Sequence, residues 1–135
     1  MVLRSQVENI EEFEGEMSNI QLEPSTNEHI TGSQWHFEMS PLNKALLAKS
    51  ATGKFHEWVK QPGTATDETV PEGCALDRYV QEIEMVHSET KKMTKVSEVF
   101  KSVIGKKYLF KKKKLGKAFK GFEAKEYWVP VKEIK

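Results

Sequence analysis

Between Ala75 and Ile104 the apolar residues recur at the spacing of a helix, and on either side of that stretch they recur at the spacing of a strand. A chain patterned this way folds as a sheet with a helical insertion. In "ALDRYVQEIEMVH", Leu76, Tyr79, Val80, Ile83 and Val86 stand at i, i+3, i+4, i+7 and i+10, with charged and amide residues between them. That is one apolar stripe and predicts a helix over about 75–87. In "TKVSEVFKSVIG" the stripe is Val96, Val99, Phe100, Val103 and Ile104, with Thr94 as N-cap candidate and Gly105 where a C-terminal cap belongs, predicting a second helix over about 95–104. From Lys106 the period becomes two. Tyr108 and Phe110 share one face of "KKYLFKKKK", the glycines of "LGKAFKGF" suit a turn, and Tyr127, Val129 and Val131 share a face of "EYWVPVKEI". A hairpin over about 106–134 follows, with Pro130 confining its last strand to an edge or a bulge.

The first sixty residues read as strands over about 2–60. "VLRSQVENIEEFEGEMSNIQLEP" holds strand formers on both sides of Gly15, a hairpin tip, bulge or bend, although Leu3, Val7, Ile10 and Phe13 also fit a helical period. "QWHFEM" sets Trp35 and Phe37 on one face, and "KFHEWV" sets Phe55 and Glu57 against His56 and Trp58. Between them Asn43 is placed to cap a helical turn carrying Leu46 and Leu47 before Gly53. Residues 61–74 read as a loop. The fold class expected is α+β, mainly β: a small five- to six-stranded antiparallel barrel with a two-helix insertion before the last two strands. The element order is that of an OB-type barrel. At 135 residues, with 38% hydrophobic and 10% aromatic content, the chain is expected to fold as a single domain. The longest apolar run is only a few residues, too short to span a membrane. The lone Cys74 makes no internal disulfide and the first twenty residues resemble no signal peptide, so a cytoplasmic protein is expected.

Chemistry-bearing patterns are sparse. His29, His36, His56 and His87 lack the paired spacings of zinc sites. A cluster of His36, Glu38, His56 and Glu57 requires that two strands pair, and sheet-face histidines are more often plain surface or core residues. Nothing beside Cys74 orients a base, which leaves it as a helix-start residue. No glycine-rich phosphate cradle occurs, and Glu8, Glu11, Glu12, Glu14 and Glu16 read as a solvated strand face. The expectation is a protein that is not an enzyme and needs neither cofactor nor metal.

Charge is the informative feature. The net value of +1 conceals eight glutamates against one basic residue in residues 1–40, and fifteen lysines against four glutamates in residues 91–135. Eight of those lysines, with four aromatic rings, lie between Lys106 and Phe122. Cationic grooves with interleaved rings bind single-stranded nucleic acid. The expected phosphate contacts are Lys106, Lys107, Lys111, Lys112, Lys113, Lys114, Lys117 and Lys120, and the expected stacking rings are Tyr108, Phe110 and Phe119. Arg4 and Arg78 are the only arginines, so bidentate base reading is nearly unavailable and binding should ignore sequence. The alternatives are a protein-interaction or assembly module, in which acidic strands of one copy meet the basic hairpin of another or of a partner protein, and internal neutralisation between neighbouring strands.

Overall fold

A computed structural model of the chain describes residues 11–24, 32–43, 53–62, 65–115 and 126–134. The elements are β1 (Glu12–Pro24), β2 (Ser33–Pro41), β3 (Phe55–Gln61), α1 (Ala75–Val86), a 3-10 turn (Ser88–Lys92), α2 (Val96–Val103), β4 (Lys107–Lys114) and β5 (Glu126–Ile134). The five strands form one antiparallel sheet in the order β3-β2-β1-β4-β5. The mainly-β class, the antiparallel pairing of the last two strands and the position of both helices are therefore as expected. The turn of helix anticipated after Asn43 lies outside the described residues.

The long strand β1 organises the sheet. Its first half pairs with β4, from Glu12↔Lys111 to Glu16↔Lys107, and its second half pairs with β2, from Gly15↔Pro41 to Pro24↔Ser33. Gly15 lies inside β1 where the two pairings overlap, so it is not a hairpin tip. The bulge falls between Met17 and Asn19. A Cβ on Gly15 would stand 2.8 Å from the Phe13 ring and 2.9 Å from the Ser40 carbonyl oxygen, so glycine is what admits the close approach of strand and ring.

The helices are fastened at their ends. Cys74 caps α1 through its sulfur, which accepts from the Asp77 N–H at 3.5 Å, while the Gly73 N–H donates to Asp77 Oδ2 at 2.8 Å. Thr94 is not the cap of α2. The cap position is Lys95, and the orphan donors go instead to Asp67 from the preceding loop. The Asp67 carbonyl oxygen accepts from the Val96 N–H at 2.8 Å, and its carboxylate accepts from the Ser97 N–H and hydroxyl at 2.8 and 2.6 Å. Gly105, at φ 86°, ends α2 as expected, and its N–H donates to the Met17 carbonyl at 2.7 Å, which leads the chain straight into β4. Ile104 falls past the helix end and is exposed.

Rings dominate the core. Phe37 stacks on Tyr79 of α1 at 4.5 Å and meets Phe100 of α2 edge-on at 5.0 Å. At the other end of the sheet Phe13 touches Phe55 of β3, Phe110 of β4 and Trp128 of β5, with centroids 4.3, 5.1 and 4.8 Å away. One ring can contact all three strands only because the sheet curls. Its two edges, β3 and β5, approach with the Phe55 and Trp128 centroids 5.7 Å apart, yet among the described residues no ladder joins them. The sheet is thus not closed.

Side chains take the place of that ladder. Glu57, buried on the inner face of β3, accepts from the Trp128 N–H at 2.8 Å and from the Trp58 N–H at 3.1 Å. Tyr79 donates to the Trp128 carbonyl at 2.7 Å. Both backbone groups of Trp128 are satisfied without a neighbouring strand. Pro130 sits on this edge strand, opposite Phe110 and next to the register shift of the β4–β5 ladder, so the expectation of an edge or a bulge holds on both counts.

Two outcomes follow. Glu57→Ala should destabilise the fold by about 2–4 kcal/mol in urea unfolding, since it orphans a buried amide and opens a void, whereas Glu57→Gln, which retains an acceptor, should recover about half of that loss. The chain should also unfold in alkali. Burial raises the phenol pKa of Tyr79, Tyr108 and Tyr127, reinforced by Glu57 and Glu82 at Tyr79, by Glu133 and Glu89 at Tyr108 and by Glu57 at Tyr127. These are all three tyrosines of the chain. Unfolded phenols release protons at about pH 10, so the stability held below that pH is lost above it, as pH rises toward the folded values. Phenolate absorbance and far-ultraviolet circular dichroism should change together in one transition. Phenolate appearing first, with the fold intact, would refute the burial argument.

Candidate binding face

Strand alternation sorts the basic segment. Tyr108 and Phe110 point inward and are fully buried. The Tyr108 hydroxyl lies 2.7 Å from His87 Nε2, and Phe110 stacks on Phe13. Neither ring can serve as a stacking platform, because β4 is an interior strand whose inner positions furnish the core. For the same reason the lysines do not guard a sheet edge, a role that the topology would leave to β3 and β5.

The lysines themselves face neighbours of opposite charge. Lys111 Nζ is 3.5 Å from Glu12 on β1, and Lys107 is registered opposite Glu16. Lys113 Nζ is 2.9 Å from Glu82 of α1, and Lys112 Nζ stands 5.2 Å over the Trp128 ring. Lys107, Lys111 and Lys114 are exposed, while Lys106, Lys112 and Lys113 are half-buried. Lys117, Phe119 and Lys120 lie outside the described residues. At the far end of β4 a shallow cleft brings Lys114 together with Arg78, Lys91, Glu82 and Met85.

A second constellation occupies the outer face of β2 and β3. The register sets His36 opposite Trp58 and Glu38 opposite His56. The three rings lie nearly parallel: His36 to Trp58 is 4.7 Å at 13°, His56 to Trp58 is 5.7 Å at 15°, and His36 to His56 is 5.1 Å at 28°. His36 Nε2 and His56 Nδ1 are 2.8 Å apart. Glu23, from the end of β1, closes the group. It accepts from the Trp58 indole N–H at 3.0 Å and from the amides of Gln34 and Gln21 at 3.4 Å, and lies 3.3 Å from His36 Nδ1. Lys54 pairs with Glu38 at 3.3 Å.

Burial, then the neighbouring His36 and Lys54, lower the pKa of His56 against the opposing pull of Glu38, so His56 is neutral at neutral pH. Burial pushes Glu23 up, but its hydrogen bond from Trp58 and its proximity to His36, with a further bond from Gln21, bring it below its ordinary value. Three members of the anticipated His-Glu cluster therefore do converge. Glu57 does not, because it points inward and spans the gap between the sheet edges. Trp58 was legible as the outward partner of His56 in the alternation of "KFHEWV", but its role as an exposed ring was missed. Glu23 could not have been found without the β1–β2 register.

Comparison of the chain with protein-family models, with curated proteins and with solved structures finds no match. Trp35 and Trp128 are 7% exposed and Trp58 is 39% exposed, so acrylamide should quench Trp58 almost alone. Trp58→Phe should abolish most of the quenchable fluorescence with little change in unfolding midpoint, and quenching that persists in the variant would contradict the assigned face.

Proposed function

We propose that the protein is a non-enzymatic, OB-like module of the cytoplasm that binds single-stranded nucleic acid largely without regard to sequence. The observation that carries this reading is the exposed indole of Trp58, held parallel to His36 and His56 on the outer face of β2 and β3. The strand order supports it. β1 pairs with both β2 and β4, the helices fall between the third and fourth strands, and β3 and β5 approach as the two edges. A partly open OB-type barrel has this arrangement, and such barrels take oligonucleotides on the face of their second and third strands and on the loops joining the first to the second strand and the fourth to the fifth. Here the residues between the fourth and fifth strands, 115–125, include Lys117, Phe119 and Lys120.

The division of labour differs from the one the sequence suggests. Stacking is assigned to Trp58, where a base on an aromatic face is worth roughly 1–3 kcal/mol. Phosphate contact stays with the exposed lysines of β4 and with Lys117 and Lys120 of the segment that follows. The Glu12–Lys111 pair does not oppose this, since exposed ion pairs contribute at most about 1 kcal/mol and a phosphate can displace the carboxylate. The assembly reading loses its motive, because the β1–β4 register already sets acidic and basic segments against each other within one chain.

The test is fluorescence anisotropy of a labelled mixed-sequence single-stranded oligonucleotide at three salt concentrations. Wild type should bind with log affinity falling against log salt at a slope near −3.5 if about five lysines meet phosphates. Changing Lys111, Lys112, Lys113 and Lys114 together to Ala should remove most of that slope. Trp58→Ala should weaken binding by about tenfold while preserving the slope. No binding by wild type at low salt would overturn the reading.

A further inference from the structure

We infer that His36, Glu38 and His56 form a binding site for a divalent transition metal, zinc being the ion that their chemistry fits best. One ligand atom from each of the three lies within 4.8 Å of the others, and all three project from the same face of two paired strands. Two imidazoles and one carboxylate select borderline ions over magnesium or calcium, which prefer all-oxygen shells. The three protein ligands leave a fourth, solvent-facing position for water or an anion.

The surroundings are those of a ligand set. A carboxylate can only accept hydrogen bonds, so Glu23 at 3.3 Å from His36 Nδ1 fixes the proton on that nitrogen and turns the lone pair of Nε2 toward His56. This is the carboxylate–histidine arrangement that orients metal-bound imidazoles and raises their basicity. Glu23 is itself held by the Trp58 indole and by Gln34 and Gln21, more partners than a merely solvated glutamate requires.

The 2.8 Å between His36 Nε2 and His56 Nδ1 is the spacing of a hydrogen bond. Two nitrogens at zinc-ligand distance in a tetrahedron stand about 3.3 Å apart. Loading therefore replaces the shared proton, which moves to the other nitrogen of His56 or to solvent, and parts the rings by about half an ångström. Glu38 exchanges Lys54 for the ion. No bond is broken beyond these hydrogen bonds and no redox step is involved.

The experiment uses the metal-free full chain with no nucleic acid present, so its outcome is independent of the binding reading above. Zinc is titrated by calorimetry, and cobalt by visible absorption and by paramagnetic broadening of backbone amide signals. One equivalent of zinc should bind, with no heat from magnesium. His56→Gln and Glu38→Gln should each weaken zinc by at least about tenfold, Glu23→Gln by about ten- to a hundredfold, and Glu14→Gln on the neighbouring strand should change nothing. Circular dichroism of the metal-free variants checks that each is folded. Should one not fold, cobalt broadening in wild type decides, and it should centre on residues 36, 38, 56 and 58. Absence of stoichiometric binding, binding that survives both ligand substitutions, or broadening centred elsewhere would overturn the inference.

Discussion

The backbone of Trp128 is where the architecture is decided. Its N–H goes to Glu57 and its carbonyl accepts from Tyr79, so a single residue of β5 is tied both to the opposite edge of the sheet and to the helix packed beneath it. A sheet whose edges approach this closely would ordinarily complete a ladder or leave backbone groups without partners. Here a carboxylate and a phenol satisfy the two groups, and the edges stay unpaired. The curl is retained while the sheet is left open. Phe13 can then touch rings from three strands at once.

The curl also determines which chemistry reaches solvent. Inner positions of every strand are spent on the core, including the two rings that interleave the lysine run. Outer positions carry opposite charges in neighbouring strips. Glu12, Glu14 and Glu16 lie in the half of β1 that pairs with β4, whereas the histidine and tryptophan group lies beside the other half, with His36 opposite Gln21. Part of the segregation along the chain is thus offset by strand adjacency, with Glu12 beside Lys111 and Glu16 opposite Lys107. The stacked group of Trp58, His36 and His56 on β2 and β3 is separated by β1 from the lysines of β4.

Period and capping carried much of the fold. The helical stripes at 75–86 and 96–103, the switch to alternation after Gly105 and the restriction on Pro130 are local properties, set by steric and hydrophobic patterning within a few residues of sequence. What failed in the sequence reading was also local in kind but remote in cause. Thr94 has the chemistry of a cap, yet Asp67 performs it from another loop. Gly15 has the look of a turn, but it relieves contact with a ring two residues away and a carbonyl on the neighbouring strand.

The sequence by itself determined the number of faces, the residues on each, and the concentration of positive charge between Lys106 and Phe122, because alternation and helical spacing follow from backbone geometry alone. Only the tertiary structure decided which faces meet. Register and strand order placed β4 inside the sheet, burying Tyr108 and Phe110 and setting its lysines beside the glutamates of β1. They also brought His36, His56, Trp58 and Glu23 together from three strands. Such pairings depend on contacts between residues far apart in the chain, whose relative position no short-range pattern specifies.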